Sequence, residues 1–131
     1  MDKRERGDRA IIVFSGELDS INDSGERIMD RIIKIDNAYR KAAGPWMLEG
    51  EDRVLDKMRT EASSAVEKAI SSEVCAIKTD TKCTPNAKLL AIKEIEKLLI
   101  SLPWLPEGFK SSLKVDIAFA ISEVRLGIGS V

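Results

Sequence analysis

Apolar residues recur along this chain at intervals of three and four, the period of one face of an α-helix. Ile11, Phe14, Leu18 and Ile21 mark a first helix over 8–21, with Asp8 placed to cap its start. Residues 1–7 read as a flexible N-terminus. Ile12 and Val13 are β-branched, but no second segment offers a strand to pair with them. The NDSG run at 22–25 interrupts the pattern. Asp23, with Glu26 three residues on, has the form of a capping box for a second helix over 24–43. Ile28, Ile32, Ile35, Tyr39 and Ala42 give that helix its apolar face, and Gly44 followed by Pro45 supplies a stop. A third helix over 51–77 carries Leu55, Met58, Ala62, Val66, Ile70, Val74 and Ile77. Its middle, Ala62-Ser63-Ser64-Ala65, is small enough to admit a close neighbour.

Thr84 and Pro85 read as N-cap and first residue of a fourth helix over 85–101. That helix is apolar over most of its circumference and needs partners on several sides. The fifth, over 107–126, places Phe109, Leu113, Ile117, Ala120, Ile121 and Val124 on one face, and Gly127 ends it. The pattern predicts one all-α domain over 1–131. Its architecture would be a four-helix up-down-up-down bundle with the 8–21 helix as an additional N-terminal element.

Two stretches echo each other. GPWMLEG at 44–50 and LPWLPEG at 102–108 share Pro-Trp-apolar-x-Glu-Gly and hold both Trp residues of the chain. Read as the first and third connections of an up-down bundle, they would lie at one end of it. With the two copies superposed, Leu55 falls on Leu113, Ala62 on Ala120 and Val66 on Val124. Such coincidences arise between any two amphipathic helices, so duplication stays open. Trp46, Met47, Leu48, Trp104 and Leu105 are the candidate partner-binding residues. A Trp can equally close the end of a core, which is the commoner use of a large aromatic.

Charge narrows the function classes. The chain carries 21 basic and 22 acidic side chains for a net charge of −1. Residues 1–43 hold nine of each sign, 44–81 lean acidic at five against eight, and 82–131 hold seven and five. No basic domain marks a nucleic-acid footprint. Arg27, Arg31 and Lys34, with Arg40 and Lys41 beyond them, still form a basic line that could meet phosphates. The acids Asp23, Glu26, Asp30 and Asp36 are interleaved with it, the usual composition of a solvated face. The longest unbroken apolar runs are five residues, at 10–14 and 117–121, where a membrane span needs about twenty. No signal-peptide core follows the N-terminus. A cytoplasmic location is expected, with no membrane partner.

Catalytic chemistry finds little support. Histidine is absent, which removes Cys-His and Ser-His nucleophile pairs and the commonest metal ligand. Cys75 and Cys83 face each other across a predicted helix–helix loop and could form a disulfide, although a cytosolic setting favours free thiols. Their spacing is not a zinc signature. Glu49, Glu51, Asp52, Asp56 and Glu61 are the only acidic group a magnesium-dependent helical nucleotide hydrolase could use. No matching acidic pair stands on another helix. SINDSG at 20–25 has Gly25 where a calcium loop has its glycine, but Arg31 stands where a bidentate Glu is needed. Arg6-Gly7-Asp8 is a three-letter adhesion tripeptide of no weight in such a chain. No cofactor or metal is expected. The leading expectation is a non-enzymatic helical interaction or regulatory protein, self-associating as a homodimer or larger homo-oligomer. A small nucleic-acid-binding protein of viral or mobile-element type is the alternative, and the magnesium hydrolase the third.

Overall fold

The computed structural model describes residues 2–127. Among them every regular element is a helix: α1 (Lys3–Asn22), α2 (Ile28–Glu49), α3 (Asp52–Thr79), α4 (Pro85–Ile100) and α5 (Glu107–Arg125). No strand forms at Ile12-Val13, as the missing partner strand requires. None of the described helices is long and apolar enough to cross a membrane.

The helix ends show where local chemistry departs from the sequence pattern. α1 begins five residues before 8, because Asp2 accepts a hydrogen bond from the Glu5 N–H at 2.8 Å and serves as N-cap. Asp8 therefore does not cap the helix. It lies inside α1 and pairs with Arg53 at 2.9 Å. The Asp23–Glu26 capping box does not form either. Asp23 is the C-cap of α1, and α2 starts at Ile28 behind Arg27, with no side-chain cap. Ser24 organises the connection instead, its hydroxyl donating to the Ile21 carbonyl at 2.7 Å and accepting from the Glu26 N–H at 3.3 Å. Thr84 does cap α4, accepting from the Ala87 N–H at 3.2 Å, with Pro85 as the first helical residue.

The largest departure is at Gly44-Pro45. α2 does not stop there but runs through Pro45 and Trp46 to Glu49. Proline disfavours helix in the residue before it through a clash with that residue's Cβ. Gly44 has no Cβ, so this part of the conflict vanishes. The stop comes at Gly50, whose φ of +68° is a left-handed conformation that glycine adopts at little cost. The Gly50 N–H bonds to the Met47 carbonyl at 3.2 Å and the Glu51 N–H to the Trp46 carbonyl at 3.1 Å, a Schellman closure.

The chain divides into two compact units, Met1–Val66 and Glu67–Val131, and α3 crosses the boundary. In the first unit α1 packs on α2, and the Phe14 and Tyr39 rings lie 6.4 Å apart at 53°. Residues 52–66 of α3 add buried Val54, Met58, Ala62 and Val66. Here α1 approaches α3 closely at both ends. Buried Gly7 sits where a Cβ would fall 2.7 Å from Val54 Cγ2, and Asn22 Nδ2 donates to the Ala65 carbonyl at 3.2 Å.

In the second unit α4 packs on α5. Ile92, Ile95, Leu99, Leu113, Ile117 and Val124 are buried there. Lys88 is buried with them at 1 % exposure, and its ammonium donates to the Lys78 carbonyl at 2.8 Å. It thereby places a cation at the negative C-terminal end of α3, where the helix dipole favours one.

Candidate interaction surface

The two Pro-Trp segments have different conformations. In the first unit Trp46 is half-buried on the last turns of α2, its Cη2 3.8 Å from the position a Gly7 Cβ would take. Met47 and Leu48 follow it on the helix and are exposed, Leu48 at 91 %. In the second unit Trp104 lies in an irregular turn between α4 and α5 and is half-buried. Leu105 is 2 % exposed and serves the packing of its own unit. The residue before the first Pro differs: Gly44 has no Cβ to oppose helix, whereas Leu102 precedes Pro103 and α4 has already ended at Ile100. Pro106 then serves as the N-cap of α5. The first copy has Leu48 at that position and stays helical.

The basic line on α2 is largely engaged. Arg31 Nε donates to the Glu26 carbonyl at 2.8 Å, Lys34 is paired with the Glu26 carboxylate, and Arg40 with Asp36 at 2.9 Å. Arg27 and Lys41 are exposed.

The acidic group is dispersed in the same way. Glu49 and Glu51 both approach Lys3, Asp56 pairs with Arg59, and Glu61 accepts from the Ser15 hydroxyl at 3.2 Å. No cluster of three or more His, Cys, Asp or Glu side chains capable of holding a metal occurs among the described residues.

Both cysteines are free and exposed. Cys83 Sγ donates to Asp80 Oδ2 at 3.3 Å. That bond to a carboxylate, reinforced by partial desolvation and by the carboxylate's charge, pushes the Cys83 thiol above its ordinary value. Asp80 is correspondingly lowered, chiefly by the Lys82 N–H and then by the Cys83 thiol.

Exposed apolar residues are the remaining feature. Ile12 and Val13 are 69 % and 70 % exposed on α1, and Ile33 is exposed on α2. In the second unit Leu90 and Ile100 are exposed on α4, and Val115, Phe119 and Leu126 recur at intervals of four and seven along α5. That spacing puts the last three on a single line of the helix surface, opposite the buried Leu113, Ile117, Ala120 and Val124.

A groove in the first unit was not evident from the sequence. It follows the seam between α1 and α2 and encloses about 560 Å³, with Ala10, Phe14, Ala38 and Met58 lining it and Arg6, Arg9 and Lys41 around it. Its members come from α1, α2 and, through Met58, α3, and from both charged and apolar positions, so no one-helix pattern could gather them. No family model, curated protein or solved structure matches the chain.

Proposed function

We propose that this chain is a non-enzymatic helical protein that works through protein–protein contacts and associates with itself. The observation that carries the reading is the line of exposed Val115, Phe119 and Leu126 on α5. A helix that buries one face and leaves an apolar line on another has a second surface to cover. A second copy of the chain can cover it symmetrically, one line on the other. Exposed Leu90 and Ile100 on α4 support the same reading. Met47 and Leu48, beside Trp46, are a further contact surface in this proposal, and the cytoplasm is its proposed setting. The up-down-up-down arrangement of α2 to α5 is also a proposal, supported only by the packing of α4 on α5.

Light scattering on material eluting from a size-exclusion column tests the reading. A mass above the 14.5 kDa of one chain, rising with loading concentration, is the expected result. A constant single-chain mass at every concentration would overturn it.

A further inference from the structure

The groove between α1 and α2 is built differently from the other exposed apolar surfaces. Much of its apolar lining is small or recessed, with Val13 and Pro45 as the exposed exceptions. Ala10 of α1 and Ala38 and Ala42 of α2 bring little bulk to the seam, and Phe14 and Met58 are buried beneath it. Small side chains along a seam let another helix approach closely. The groove is also long. A second depression of about 260 Å³ continues it past Glu17, Ala38 and Lys41 to Ile21. From Arg6 to Ile21 the α1 side spans about 22 Å at ~1.5 Å per residue, which is about four turns of helix.

The charges at the groove are predominantly basic. Arg6, Arg9 and Lys41 border the wider depression with Glu17 as the single acid. Among the described residues none of these three cations has an ion-pair partner, although Lys3, Lys34, Arg40 and Arg53 all do. An apolar trough edged by unpaired cations is complementary to an apolar face edged by carboxylates. A bare phosphate backbone would leave the apolar lining uncovered.

We infer that the α1–α2 groove receives an amphipathic helix of a partner protein, apolar face inward and acidic residues along its edges. This is the helix-in-groove mode, with anchors at i, i+3, i+4 and i+7. The inference rests on the protein-contact reading and names a partner class for one of its surfaces.

The test uses two capped, helix-forming synthetic peptides of about 15 residues with the same leucine face. One carries glutamate at the edges and the other lysine. Each is titrated into the 15N-labelled full chain. The expected result is that the glutamate peptide shifts the amides of Ala10, Val13, Ala38 and Ala42, and that its advantage over the lysine peptide shrinks with added salt. The double variant Arg6→Glu/Lys41→Glu should bind the glutamate peptide about tenfold more weakly and favour the lysine peptide. Both substituted positions are exposed, and an unchanged thermal midpoint verifies that the variant folds.

Equal affinity for the two peptides, or shifts confined to other residues, would overturn the inference. So would groove shifts produced by phosphatidylserine vesicles or by RNA when the glutamate peptide produces none. Groove shifts on concentrating the protein alone would place a second copy there, which also overturns it. Sedimentation of the same samples separates the two claims. A self-associating protein that ignores the glutamate peptide sinks the groove inference and leaves the contact reading standing. A monomer that binds the peptide in the groove does the reverse for self-association.

Discussion

Gly7 shows how one missing methyl group sets the approach of two helices. An alanine there would gain about 0.8–1.0 kcal/mol of helix propensity. Its Cβ would also lie 2.7 Å from Val54 Cγ2 and 3.3 Å from Arg53, and Val54 is completely buried and cannot yield. Overpacking of this kind costs typically ~1–3 kcal/mol, so the steric term wins. Gly16, in the same helix, has nothing within 4 Å of its hypothetical Cβ. Urea denaturation should therefore find Gly7→Ala less stable than the parent by about 1–2 kcal/mol and Gly16→Ala more stable by about 0.5–1 kcal/mol. Equal gains at both positions would contradict the close approach.

Cys83 gives a second residue-scale expectation. Ionising its thiol would set a thiolate against the Asp80 carboxylate, which is why it holds its proton to higher pH than an ordinary cysteine. Iodoacetamide should label Cys83 slowly near pH 8, and Asp80→Asn should speed that labelling while leaving Cys75 unchanged. Asp8 behaves in the opposite sense, its carboxyl lowered first by the hydrogen bond from Arg53. Any stability from that exposed pair is present above the unfolded carboxyl value and is lost as pH falls through the folded one.

At the scale of elements, all five helices were legible because each buries one face and repeats apolar residues at three and four. Their ends were less so, since a cap depends on which of several polar residues reaches a free N–H. Asp2, Asp8, Asp23 and Thr84 are all good cap residues by type, and only Asp2 and Thr84 cap helix starts. The Pro-Trp echo misled in an instructive way. The shared letters are the same, but the letters around them differ: Gly44 lets helix run into Pro45, whereas Leu102 precedes Pro103, α4 ends at Ile100, and Pro106 starts α5.

Of the candidate surface, the exposure of Ile12, Val13 and Ile33 could be read from their places off the main helix faces, whereas the sequence pattern puts Met47 and Leu48 in a connection and they lie on α2 instead. The groove and buried Lys88 could not be read, because each depends on residues from more than one helix. Pro45 carries the element-scale prediction. It lacks the N–H that would bond to the Lys41 carbonyl one turn back, and it sits inside α2. Pro45→Ala should restore that bond and stabilise the protein by about 1–2 kcal/mol, the gain being trimmed by a more flexible unfolded chain. Thermal denaturation measures it. A loss of stability would mean that Pro45 contributes more by packing than it costs the helix.

At the scale of the whole chain, two properties agree. The charges nearly cancel, and the engaged surface cations and acids mostly pair with each other, which leaves little field for a polyanion. Some large apolar side chains, in contrast, stay exposed among the described residues, with Val115 and Phe119 of α5 showing it most plainly. Self-association is the central claim, and sedimentation equilibrium of the parent beside Val115→Lys/Phe119→Lys tests it most directly. Both side chains are exposed by about two-thirds, 67 % and 66 %, so the variant should fold as the parent does. An associating parent and a variant that stays monomeric with an unchanged helical spectrum are the expected results. A parent that is monomeric at high micromolar concentration, or a variant that associates as strongly as the parent, would contradict it.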